Sequence, residues 1–158
     1  MKRVGKKEVN LETPDSLNDN YFDAIYGVSV LHHLDLEKAL PVLIKKLKPG
    51  AFFAFSEPNL LNPINKYLYF TNDQNKRRKF GVSPNEMAFT PNELRLTFEK
   101  HGLNVEKVFH RDFLHPQTPK VLIPIILAGQ FFAERLPAIS LISGSLWICG
   151  EKTKSVYK

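Results

Sequence analysis

The hydrophobic pattern of this chain changes period several times, and each change marks an element. Phe22-Asp23-Ala24-Ile25-Tyr26-Gly27-Val28-Ser29-Val30 is nearly continuous in apolar residues and reads as a buried strand. It ends in a turn at Leu31-His32-His33-Leu34. Leu36, Ala39, Leu40, Leu43, Ile44 and Leu47 then recur at helical spacing, so a helix with one apolar face runs to about Lys46. Asp35 stands at its N-cap position and Pro41 one turn in. Lys48-Pro49-Gly50 opens a second apolar strand, Ala51 to Ser56. Two buried strands joined by a helix make a βαβ unit, which predicts an α/β fold with a parallel sheet covered on both faces.

The pattern on either side is weaker. Glu8-Val9-Asn10-Leu11-Glu12 alternates, as a short strand would, and Thr13-Pro14-Asp15-Ser16 breaks it. Ile64 to Phe70 is aromatic and predicts a helix, followed by a polar, charged stretch from Thr71 to Lys79. Thr90, Pro91 and Glu93 form a capping-box signature for a helix that Gly102 stops. Asn104 to Arg111 alternates again, and Ser143 to Gly150 reads as a last strand. Between these, Val121 to Phe132 is strongly apolar but shorter than the ~20 residues that span a bilayer. Residues of about 60–89 and 113–142 read as two insertions in a single domain of 158 residues, the first lying over the C-terminal edge of the sheet.

Composition changes this picture little. Hydrophobic content of 43% and charge content of 24% are ordinary for a globular chain. The net charge of +6 gathers at the termini and in Lys76-Arg77-Arg78-Lys79, which read as solvated surface, and no nucleic-acid motif accompanies it. Cys149 is the single cysteine, which leaves no intramolecular disulfide and no thiolate metal cluster. His101, His110 and His115 have no ligand spacing, so no metal is expected. The basic N-terminus is not followed by an apolar run, and a cytoplasmic location is the default.

"FDAIYGVSVLHHL" followed by "LKPGAFFAFSEPN" resembles the second half of a Rossmann-like S-adenosylmethionine-dependent methyltransferase, over roughly Val9 to Lys152. The resemblance implies a partial sheet made of the third to seventh strands of a seven-stranded, mostly parallel sheet, with order 3-2-1-4-5-7-6 and helices on both faces. On this reading the domain is N-terminally truncated. The first two strands and the glycine-rich loop that lets backbone approach the cofactor have no counterpart, and no G-x-G occurs anywhere.

The resemblance also implies site residues. Glu12, Gly27, Val28, Leu31 and His32 fall at cofactor-binding positions, and His33, Glu57 and Asn59 at substrate-binding ones. His33 is the candidate base. The expected activity is methyl transfer from S-adenosylmethionine to a small or lipid-like acceptor. The alternative is a non-catalytic methyltransferase-like module that pairs with itself or with a partner chain through the exposed strand 24–28. Val121 to Phe132 is read either as core under the insertion, as a lid over an apolar substrate, or as a peripheral membrane contact.

Overall fold

A computed structural model describes residues 8–83, 85–114 and 118–154. The predicted polar arm Met1–Lys7 and His115-Pro116 lie outside the described residues.

A four-stranded sheet organises the molecule. β1 (Phe22–Val28) and β2 (Leu47–Pro58) run parallel; β4 (Ser145–Lys152) lies antiparallel between β2 and β3 (Leu103–Arg111). The order is β1-β2-β4-β3. This is the order that the resemblance implies for the family's fourth, fifth, seventh and sixth strands. A one-turn helix, Leu31–His33, leads from β1 into α1 (Leu36–Lys46). α2 (Pro63–Phe70) and α3 (Gln74–Lys79) follow β2, and α4 (Pro91–Lys100) leads into β3. α5 (Ile123–Ala133) and α6 (Pro137–Ser140) connect β3 to β4.

The local signals explain most boundaries. Thr90 and Glu93 form the reciprocal capping box, the threonine side chain accepting from Glu93 N and the glutamate from Thr90 N. Gly102 takes a left-handed φ of 82° at the turn from α4 into β3, and Gly50 one of 76° inside β2, where the pairing with β1 shifts register between Leu47 and Phe52. Asp35 occupies the N-cap position but its side chain caps nothing; it pairs with Lys38 at 2.8 Å instead.

The core lies on one face of the sheet. Phe53 and Phe55 of β2 and Leu146 and Ile148 of β4 meet Leu36 and Leu40 of α1 and Leu94 and Phe98 of α4. Each such side chain contributes roughly 2 kcal/mol by leaving water. Gly150 lets the strands close up around this core: a Cβ there would sit 2.0 Å from the Asn104 carbonyl oxygen.

Two expectations about the sheet are corrected. Residues 8–10 are irregular and 11–12 form a turn, not a third strand. In the expected order that strand lies beyond the second and first, so without them it has no neighbour to pair with. Among the described residues, helices also cover one face, not both. From β1 to β2 to β3 the chain moves in one direction across the sheet, and right-handed crossovers then put α1 and α4 on the same side. The opposite face is left open by the described residues, with Tyr26 85% and Phe52 60% exposed. β1 forms one border of this sheet.

Candidate functional site

The C-terminal ends of β1 and β2 converge on a buried carboxylate. Glu57, 1% exposed, reaches from the end of β2 to the backbone that leaves β1. Its Oε1 accepts from Val30 N at 3.2 Å and Leu31 N at 2.9 Å. Its Oε2 accepts from His32 N at 3.1 Å and meets His32 Nδ1 at 2.8 Å. The carboxylate thus caps the one-turn helix and compensates its own desolvation with four donors. It also fixes the imidazole: Nδ1 carries the proton donated to Glu57, and Nε2 is the basic nitrogen.

His32 lines a cleft of about 370 Å³ above the strand ends, together with Ser29, His33, Asn62, Tyr69 and Glu86. The two imidazole centroids stand 3.9 Å apart. His33 Nδ1 lies 3.1 Å from Glu86 Oε1, and the His33 side chain is 49% exposed while Glu86 is nearly buried. Burial alone would raise the Glu86 carboxyl, but hydrogen bonds from Ser83 and the nearby His33 and His32 outweigh it and hold it below the usual carboxylate value. Tyr69 is pushed up to about 12, first by burial and then by the negative charges of Glu86 and Glu57. It therefore faces the cleft as a neutral hydroxyl at any physiological pH. One donor atom from each of His32, His33 and Glu86 lies within 4.8 Å of the others, a grouping that could hold a metal ion.

Arg77 holds this wall in place from beneath. It donates to the Tyr69 carbonyl at 2.7 Å, to Ser83 O at 2.6 Å and to Glu86 O at 3.2 Å. Its neighbours Lys76, Arg78 and Lys79 are exposed, as expected, but Arg77 itself is buried.

The residues singled out from the sequence are distributed unevenly. His32 and His33 line the cleft, and His33 is also the wall of a second cleft of about 520 Å³ that contains Glu12, Asp35, Met87 and Thr97. Glu12 accepts there from Asp35 N at 3.1 Å. Leu31 is fully buried in the core. Gly27 faces Phe55, whose ring lies 3.0 Å from where a Cβ would be, and Val28 points to the open face. Asn59 is wholly buried, its Nδ2 donating to Leu141 O at 2.9 Å and Ser143 O at 2.8 Å. Tyr69 and Glu86 escaped the sequence reading because nothing local marks either as functional: Tyr69 lies on α2, expected only as an aromatic helix, and Glu86 in the loop before α4.

The comparisons with known proteins fit this geometry. Residues 3–55, about a third of the chain, match the family model described as a methyltransferase domain. Among curated proteins, no sequence matches. Solved structures match across nearly the whole chain. A S-adenosylmethionine-dependent methyltransferase of Methanosarcina mazei gives a TM-score of 0.64 at 14% identity, covering 98% of this chain and 71% of that one. One from Thermotoga maritima gives 0.59 at 20% identity, over 87% of this chain and 58% of that one. A chain from the complex of the Haloferax volcanii Trm112 methyltransferase activator with a methyltransferase gives 0.57 at 15% identity, over 90% and 58%. The chain thus spans less than two thirds of the length of two of these three.

S-adenosylmethionine is the cofactor that the family and these neighbours imply. Of the residues that the resemblance places beside it, His32 lines the cleft, while Leu31 is buried in the core and Val28 lies on the opposite sheet face. The segment leaving β1 is rigidly held by Glu57, but the glycine-rich wall has no counterpart among the described residues: each of their glycines sits in a turn, a helix or a strand contact. Residues 3–55 thus match a methyltransferase domain, and the four-stranded sheet shares its fold with solved S-adenosylmethionine-dependent methyltransferases.

Proposed function

We propose that this chain carries the acceptor side of a methyl-transfer site, in the cleft above β1 and β2. The observation that supports this most is the His33–Glu86 pair beside the Glu57-anchored His32. S-adenosylmethionine, when bound, supplies a sulfonium methyl group, and transfer then requires mainly alignment of donor and acceptor. The chain's own residues provide the rest. His33 is accessible, and Glu86 orients its Nδ1, which leaves Nε2 to take the proton that an acceptor hydroxyl or amine releases. His32 and Tyr69 form the floor against which the acceptor packs. Glu57 and Asn59 act beneath the surface, as supports of that floor rather than contacts to substrate.

The acceptor is a small or lipid-like molecule, which fits the apolar side chains Ile64, Leu68, Phe113 and Leu114 in the same cleft. The cofactor's second wall comes from chain that docks along β1, where Tyr26 and Val28 are exposed. A second copy or a partner chain can supply it. The competing reading is a non-catalytic module that uses the same edge for pairing alone.

Titration calorimetry with S-adenosylhomocysteine, run beside a mass measurement, separates the two. Micromolar binding together with an assembly larger than one chain supports the enzyme. Absence of binding at millimolar ligand removes autonomous catalysis. Where binding is found, His33→Ala is expected to leave it intact and to slow methyl transfer about 100-fold.

A further inference from the structure

α5 has the composition of a protein interior and the exposure of a surface. None of its residues is buried, and Ile125 and Phe132 are 69% and 68% exposed. An apolar run of about 10–14 residues is normally either core or an interfacial segment, and the first option is closed here. The patch continues beyond the helix, with Leu136, Ile139, Leu141 and Ile142 exposed as well.

α2 extends the same surface. Asn62 Nδ2 donates to Ile142 O at 2.7 Å and Asn65 Nδ2 to Gly144 O at 2.8 Å, so the start of α2 is fastened to the end of the second insertion. Its outward side presents Ile64, Tyr67 and Phe70. This exceeds the scattered apolar exposure of an ordinary monomer surface.

The charges around the patch choose its occupant. Lys66, Lys76, Arg78, Lys79, Lys120 and Arg135 are exposed within or beside these segments. Two of them lie over exposed rings: Arg135 at 3.4 Å from the Phe131 centroid and Lys76 at 5.8 Å from that of Tyr67. The acids there are engaged: Glu134 turns inward to Arg111, Asp112 N and Gln130, and Asp73 caps α3. Apolar side chains that can enter a lipid layer, ringed by aromatics and cations, match the interface of an anionic bilayer. No described helix is long and apolar enough to cross it.

We propose that α5, α6 and the outer side of α2 dock this chain on an anionic membrane surface. Docking is a property of the surface alone and does not depend on methyl transfer, so either idea can fail without the other. The test is flotation of the full chain with phosphatidylcholine vesicles, with and without phosphatidylglycerol. Binding is expected with the anionic lipid and should weaken as salt rises. Ile125→Glu and Phe132→Glu are each expected to reduce it about tenfold. Phe52→Glu, on the open sheet face, should leave it unchanged, and circular dichroism should report the same fold for all three. Three results would overturn the proposal: vesicle binding that survives both α5 substitutions, equal loss with Phe52→Glu, or no binding alongside a self-association that the α5 substitutions abolish.

Discussion

Glu57 has no water to fall back on. Its two oxygens receive three backbone N–H groups and one imidazole, and it is the element that bends residues 30–32 off the end of β1. Replacing it by glutamine would aim an amide N–H₂ at a donor and leave at least one backbone group unpaired. Glu57→Gln is expected to cost about 3 kcal/mol, measurable as a shift in urea midpoint with an unchanged slope. A stability loss under 1 kcal/mol would contradict this account. The residue was legible from the sequence as a strand-end acid, but its direction was not. An acid ending a strand can face a ligand or fold back under its own loop, and only the position of the next strand's exit decides which. Arg77 was illegible for a related reason. Four consecutive basic residues look solvated together, while a short helix turns every residue a different way and buries one of them.

Among the elements, the βαβ unit and α4 followed from periodicity because their apolar faces have a core to meet. The capping box fixed the start of α4 to the residue. The stretch at 8–12 failed because a strand is not a local object: an alternating pattern requires a neighbour, and the pattern itself does not say whether one exists. α5 stayed open for a different reason. Its residues are apolar all round, so periodicity cannot distinguish core from interface, and exposure in three dimensions was needed. Connections between elements were the least legible of all. Asn59 joins the end of β2 to the loop before β4 through Leu141 O and Ser143 O, more than 80 residues away. Asn59→Ala would strand two carbonyls, Ser143 O buried and Leu141 O partly so. We expect a loss of about 2 kcal/mol and faster proteolysis within 113–142 than elsewhere, detectable by limited digestion and mass spectrometry. Cleavage that is uniform along the chain would argue against this role.

For the whole molecule, acid is the weak side. His110 lies on β3, and burial depresses its basicity below the ordinary histidine value. The unfolded chain therefore takes up a proton near pH ~6.5 that the folded chain refuses, and stability falls as pH drops through that value. Glu86 adds a second loss in the same direction at lower pH, because its folded carboxyl titrates below its unfolded one. Asp19, Asp35 and Glu37 are lowered too, by hydrogen bonds from Lys46, Lys38 and Lys100, but they are exposed to solvent and contribute little. The melting temperature should hold above about pH 7 and decline below it. In His110→Gln the first part of that decline should vanish, and a profile identical to the parent's would remove His110 as its cause.

The three asparagines at the start of the first insertion have a kinetic consequence. Asn59, Asn62 and Asn65 all grip backbone between residues 141 and 144, so neither insertion can swing away without breaking the other's bonds. The two walls of the cleft form one moving part instead of two. Entry and exit of any occupant would then share a single opening rate, and loosening any one asparagine would speed both traffic directions together.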